Sequence, residues 1–226
     1  MYLIRGTQNI DLFTSKYKDI ELIATIGNFD GLHLGHQHII QNMQKDAEEN
    51  NWQKLVIFTE PHAKEFFAES LGTEEEKPPR IFPWSEKVKK LKELEVEFSF
   101  FLNFNNLLRS MTPETFIKEV LSRLSIKKIV IGDDFRFGAN REGDFTFLKN
   151  WGDENNILIE KTETFSIHGH RVSSTRIREC LIAGDFKGAK ELLGRPFTFN
   201  GKVVYGQQLG TQLGAVSYTH LRAHET

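Results

Sequence analysis

Residues 25–38, TIGNFDGLHLGHQH, limit what this chain can fold into more than any other stretch. An apolar run from Leu22 to Ile26 breaks at Gly27-Asn28-Phe29-Asp30-Gly31 and gives way to His33-Leu34-Gly35-His36, after which Ile39, Ile40, Met43 and Ala47 recur at helical spacing. The pattern predicts strand, tight glycine loop, helix N-terminus. Unpaired backbone N–H groups and the positive end of the helix dipole then face the loop, where Gly31 and Gly35 let a ligand approach the backbone. Two histidines add donors suited to phosphate oxygens. Neither a P-loop nor a GxGxxG dinucleotide loop is present, so the HxGH segment is the primary candidate for an anion site.

Composition narrows the class of ligand. A net charge of −2 over 226 residues gives no global basic field of the kind a dedicated nucleic-acid binder carries, which favours a small-molecule partner. Cys180 is the only cysteine, so no intrachain disulfide can form and a reducing, cytoplasmic setting is expected. No apolar run approaches a membrane span.

Along the chain, β-rich runs alternate with helical patterns, predicting an α/β fold, Rossmann-like, with a mainly parallel sheet. Strands are expected at residues 22–26, 55–59, 98–103, 128–131 and 157–162, and helices at 35–50, 85–94, 113–124 and 144–154. In such sheets ligands bind beyond the carboxyl ends of the strands, so the loops after Ile26, Thr59, Asn103 and Ile131 should converge. Glu60-Pro61-His62-Ala63-Lys64-Glu65-Phe66-Phe67 reads as a loop placing His62 and Phe66 along that cleft. The proline-rich residues 72–83 read as a mobile excursion or lid, and the Lys- and Glu-rich helix at 85–94 as a solvated face without function. Phe98, Phe100, Phe101 and Phe104 are expected to be core, with Asn105 better placed to meet a ligand.

Two later motifs carry chemistry. In Gly132-Asp133-Asp134-Phe135-Arg136-Phe137-Gly138, carboxylates suit ribose hydroxyls or ring nitrogens, Arg136 suits phosphate, and Phe135 and Phe137 suit a flat heterocycle. In Ser173-Ser174-Thr175-Arg176-Ile177-Arg178, three hydroxyls cap a helix, which alone needs no arginine; with Arg176 and Arg178 they make a second oxyanion clamp. Two clamps can grip a nucleoside triphosphate while a phosphate monoester, already largely deprotonated with a second pKa of about 6, attacks the α-phosphorus.

In order and separation, GNFDGLHLGH, the EPH loop, GDDFRFG, SSTRIR and LLGRPF resemble the bacterial bifunctional riboflavin kinase/FMN adenylyltransferases, the FAD synthetases. The resemblance covers residues 25–214 and implies transfer of AMP from ATP to FMN, giving FAD and pyrophosphate, with Mg²⁺ held by ATP phosphates rather than by protein side chains. It implies catalytic roles for His33, His36, Ser174, Thr175 and Arg178. ATP would be held by Gly27, Asn28, Phe29, Asp30, Gly35, His36, Asp134, Arg136, Ser173 and Arg176, and FMN by His62, Phe66, Asn105, Phe135 and Phe137. Expected partners are ATP and FMN, without nucleic acid or membrane. Transfer to another phosphate acceptor, or flavin and nucleotide binding without turnover, are the alternative readings.

The resemblance divides the chain into an adenylyltransferase domain, 1–188, and the opening of a β-barrel kinase domain, 189–226. The family's PTAN motif and later catalytic glutamate have no counterpart; the chain instead reads AVSYTHLRAHET from Ala215. One strand cannot close a barrel, so residues 197–226 are expected to be disordered or loosely docked and kinase activity to be lost. The tail from His220 to His224 reads as a foreign or frame-shifted end rather than a metal site.

Overall fold

The computed structural model describes residues 1–73 and 77–200. Leu22, Ile23, Ala24 and Thr25 are each at most 1% exposed, the burial of a strand covered on both faces. They form β2 (Leu22–Ile26), which lies inside a six-stranded sheet with β1 (Tyr2–Arg5), β3 (Gln53–Glu60), β4 (Phe98–Asn103), β5 (Ile126–Ile131) and β6 (Leu158–Lys161). The order is β1-β4-β3-β2-β5-β6 and every pairing is parallel. From β2 the chain moves to β3 on one side and later to β5 on the other, so the loops after β2 and β5 diverge across a switch point where such sheets bind ligands.

Parallel neighbours require crossovers, which helices supply. The helices are α1 (Ile10–Lys16), α2 (Leu34–Asn50), α3 (Ala63–Leu71), α4 (Trp84–Glu93), α5 (Asn106–Ser110), α6 (Pro113–Phe116) and α7 (Phe145–Asn155), with α8 (Ser174–Ile182) and α9 (Phe186–Leu193) following the last strand of the sheet. A hairpin of β7 (Ser166–Ile167) and β8 (His170–Arg171) precedes α8. Alternation along β3 separates two cores: Leu55 and Ile57 meet Phe13 of α1, Phe116 of α6 and Leu148 of α7, whereas Val56 and Phe58 meet Ile40 of α2, Leu91 of α4, Ile177 of α8 and Leu192 of α9. No helix among the described residues is long and apolar enough to cross a membrane.

The expected strand at 22–26 and the one at 98–103 coincide with β2 and β4, while β3 and β5 begin two residues earlier than the sequence suggests. Four differences have physical causes. The first strand, β1, was not expected; its Tyr2–Arg5 pair only with β4, nearly 100 residues away, and no local pattern announces such an edge. The stretch after His62 is a helix, α3, because His62 and Glu65 form a reciprocal capping box. The helix expected at 113–124 runs as α6 and then widens into a π-helical stretch, Ile117–Leu121. Residues 72–83 are not wholly a loose excursion, since Ile81 and Phe82 are 3% and 2% exposed and pack in the second core.

Helix α9 runs through position 188, and its Leu192 and Leu193 belong to the same core as α8. Phe197 packs against that core, while Phe199 is exposed. The other residues for which a loosely docked or foreign end was expected, 201–226, lie outside the described residues.

Candidate active site

The loop joining β2 to α2 turns through three left-handed residues, Phe29 (φ 52°), Gly31 (φ 76°) and Leu32 (φ 41°). Gly31 is suited to its position, but the conformation costs Phe29 and Leu32 on the order of 1–2 kcal/mol each, so the surroundings must hold it. Phe29 and Leu32 are each 1% exposed, anchored in the second core. Side chains from distant segments fix the loop carbonyls. Lys87 Nζ of α4 donates to Asn28 O at 2.9 Å, Ser174 Oγ of α8 to Asp30 O at 2.9 Å, and Arg195 Nη2 to Gly31 O at 2.6 Å. Asn28 Oδ1 accepts from Thr59 Oγ1 at 3.1 Å, tying the loop to the end of β3.

Asp30 joins the two clamps inferred from sequence. Its buried carboxylate accepts the amides of Ile81 (3.2 Å) and Phe82 (3.3 Å) and pairs with Arg178 of α8. Arg178 Nε also donates to Pro79 O at 2.7 Å. The packed half of residues 72–83 is therefore part of the wall, not a cover over it.

At the head of α2, His33 Nδ1 accepts the His36 amide at 3.3 Å and so caps the helix. The His33 and His36 rings stack at 3.6 Å between centroids, 16° from parallel, with Phe29 4.9 Å from His36. Gly35 makes room: a Cβ there would stand 3.2 Å from the His33 ring. Burial, with Arg171 and Arg195 nearby, lowers the His33 pKa to about 4. Burial, then His33 and Lys87, push His36 well below the usual histidine range. Both rings are thus neutral at pH 7. A neutral His33 that accepts at Nδ1 must carry its proton on Nε2, so it offers a donor without a charge. His36 Nδ1 is buried without a partner among the described residues.

The remaining candidates fall into two groups. On the β3–β4 side, His62 Nδ1 caps α3 by accepting from Lys64 N at 3.0 Å, and burial lowers the His62 pKa to about 4 against the opposing pull of Asp30 and Glu65. Asn105 likewise caps α5, accepting from Leu108 N at 3.0 Å, and Phe66 stands edge-on to Phe104 at 5.4 Å. On the β5 side, Asp134 is exposed and pairs with Arg171 of β8 at 2.9 Å, while Arg136 pairs with Asp144 at 2.9 Å. Phe135 stacks on Phe137 at 5.6 Å, and Phe137 is buried in the first core against Phe116 and Phe147. Ser173 caps α8 through the Arg176 amide at 3.3 Å; Thr175 is exposed and Gly27 N donates to Ile57 O at 3.0 Å.

Sequence reasoning passed over Lys87, Arg195, Arg80 and Arg171. Lys87 is 6% exposed, 4.6 Å from the centroid of Phe58 and 3.9 Å from Glu60 Oε2; burial lowers its pKa against the pull of Glu60 and Asp30. The solvated reading of α4 therefore fails at this residue. The signal was present, because Lys87 falls on the stripe with Trp84, Leu91 and Leu94, where a lysine is out of place. Arg80 bridges Glu60 (2.6 Å) and Glu65 (2.6 Å) and closes the same wall.

The sequence profile of the FAD synthetase family matches residues 15–176. The chain is 37% identical over 215 residues to the bifunctional riboflavin kinase/FMN adenylyltransferase of Escherichia coli K12, covering 95% of this chain and 66% of that protein. Its counterpart in Pseudomonas fluorescens is 38% identical, again over 95% of this chain and 66% of the relative. The chain thus spans just under two thirds of the length of these relatives. Among solved structures, one described as a macrolide-efflux protein from Streptococcus pneumoniae superposes with a TM-score of 0.74 at 26% identity, covering 95% of this chain and 67% of that one. The shared fold, the motif order and these identities agree: the chain belongs to the FAD synthetase family.

Proposed function

We propose that this chain is an FMN adenylyltransferase, joining AMP from ATP to the phosphate of FMN to give FAD and pyrophosphate. One observation carries the reading: the Asp30 carboxylate and carbonyl bind Arg178 and Ser174, which draws the His33–His36 helix end and the α8 helix end together around one loop. Two helix N-termini so joined suit a polyphosphate.

A terminal phosphate oxygen of FMN forms a bond to the α-phosphorus of ATP as the bond from that phosphorus to the bridging oxygen of pyrophosphate breaks. The nucleophile is already largely deprotonated at neutral pH, its second pKa being about 6, so alignment and charge stabilisation supply most of the catalysis. In this reading His33 Nε2–H and the amides at the head of α2 hold phosphate oxygens, His36 supports the His33 ring by stacking, and Ser174, Thr175 and Arg178 close from α8. The aromatic edge at Phe66 and the caps at His62 and Asn105 form the flavin side, with Phe135 toward the heterocycles; Phe137, buried in the first core, backs Phe135 and does not face the ligand. Gly27, Asn28, Phe29, Asp30 and Gly35 shape the ATP loop; Asp134, Arg136, Ser173 and Arg176 line its far side.

No group of three or more His, Cys, Asp and Glu among the described residues is placed to hold a cation, and Asp30 is already committed to Arg178 and two amides. In this reading Mg²⁺ arrives on the triphosphate, where it would offset the charge of the departing pyrophosphate. Purified protein given FMN, ATP and Mg²⁺ should form FAD, read by chromatography; folded protein that forms none would overturn the assignment.

A further inference from the structure

The peptide groups of the β2–α2 loop are set from outside it. Lys87 takes the carbonyl of the 28–29 peptide, Ser174 that of 30–31, and Arg195 and Gln37 that of 32–33, Arg195 Nη1 at 3.2 Å and Gln37 Nε2 at 2.8 Å. A trans peptide is planar, so each N–H points opposite to its carbonyl. The amides of Phe29, Gly31 and His33 are therefore each turned away from the group that holds the carbonyl of the same peptide, and none meets an acceptor among the described residues. Amides left free in a loop of this kind can line an anion-binding concavity.

Of the four holders, Arg195 reaches furthest. It lies beyond residue 176, where the family match ends, yet it contacts the carbonyls of Gly31 (2.6 Å), Leu32 (3.2 Å) and Leu193 (2.9 Å). Gln37 of α2 reaches Leu32 O and Leu193 O at 2.8 and 3.0 Å, so helix α2, the loop and the end of α9 form one closed knot. The guanidinium lies 4.8 Å from the centroid of Phe82, and its Nε is buried without a partner among the described residues. Gly194, at φ 72°, docks against Leu34: a Cβ there would stand 2.5 Å from Leu34 Cδ2. Gln37 and Leu34 supply the α2 side of this knot, and no residue of SSTRIR takes part in it.

We infer that Arg195 is a positioning residue for the anion site, fixing the Gly31 and Leu32 carbonyls so that the free His33 amide faces the triphosphate while the Leu32 amide stays bonded to Phe29 O. It acts through the loop and does not touch the reacting atoms. The adenylyl-transfer site therefore extends past α9 into the segment Leu193–Gly194–Arg195. The kinetic consequence rests on the FMN adenylyltransferase reading; the consequence for loop order does not.

Arg195→Ala and Arg195→Lys test this in the full chain. By hydrogen exchange over residues 28–36, the amides of Leu32 and His36, which donate to Phe29 O and His33 Nδ1, should lose protection in both variants while β3 and β4 keep theirs. With the substrates, kcat/KM for ATP should fall by roughly tenfold or more while FMN affinity stays within about twofold, a split that general destabilisation would not produce. Millimolar guanidinium should restore part of the Arg195→Ala activity. Lysine, a single ammonium, cannot span the carbonyls and should not substitute, and it keeps the test alive should the alanine variant not fold. Unchanged exchange at 28–36, equal losses for ATP and FMN, or full activity in Arg195→Lys would overturn the inference. A parent protein that forms no FAD would overturn the proposed activity instead, and the exchange result would still decide the role of Arg195.

Discussion

His33 serves two neighbours with one ring. Its Nδ1 caps α2, and that bond dictates which nitrogen keeps the proton. Stacked on His36 and desolvated, it stays neutral, as does His62, both with pKa values near 4. An unfolded histidine titrates near 6.5, so between pH of about 4 and 6.5 the unfolded chain binds more protons than the native one. The stability these groups contribute is complete above pH ~6.5 and is lost as the pH falls toward 4, at up to about 1.4 kcal/mol per pH unit per histidine. Thermal melts from pH 7 to 4.5 should show this decline. His62→Asn, which can still cap α3, should make it shallower. Lys87 gives the opposite pairing of stability and function. Replacing a buried, poorly paired cation with an apolar side chain of similar length is often neutral or stabilising, so Lys87→Met should leave the melting temperature unchanged or raised. It should nevertheless lower FAD formation by roughly tenfold, since the Asn28 carbonyl is released. The histidines and the hydroxyls were singled out in the sequence by their types and spacing, and the structure brings His33, His36 and Ser174 to one loop. Lys87 was not, because in a run of lysines the buried one is distinguished only by the stripe it shares with Trp84 and Leu91.

Helices α2 and α8 meet at a single carboxylate. Asp30 and Arg178 have side chains only 10% and 16% exposed, so removing one leaves the other charged in a poorly solvated place. Asp30→Ala should cost about 3–5 kcal/mol in urea unfolding, and Asp30→Asn, which keeps an acceptor for the Ile81 and Phe82 amides, distinctly less. Equal costs for the two would mean that the ion pair, not the amide contacts, dominates. Elements with strong local signals were legible: β2 and β4 as apolar runs, α2 by its stripe, α6 by Thr112 and Pro113. Those fixed by distant partners were not. The β1 strand owes its form to β4, and the packing of Ile81 and Phe82 depends on Asp30, some 50 residues earlier.

For the molecule as a whole, a parallel sheet with a switch point beside β2 followed from the alternation of strand and helix. What did not follow is that the end of α9 is part of the wall, because a glycine-arginine step after a helix reads only as a stop signal. If the amide-lined loop is an anion site, pyrophosphate alone should raise the melting temperature. The stabilisation should approach 2.7 kcal/mol at a concentration of about 100 times Kd and shrink as salt is raised. A melting curve indifferent to pyrophosphate would argue against the loop as the anion site. The carbonyl holders also impose an order in time. Lys87, Ser174 and Arg195 come from three separate stretches, the last of them far behind the loop it supports. A nascent chain emerging from the ribosome can close its sheet through β5 and still display an unshaped loop; only when Arg195 has emerged can the loop lock, so the loop is shaped after the sheet that carries it.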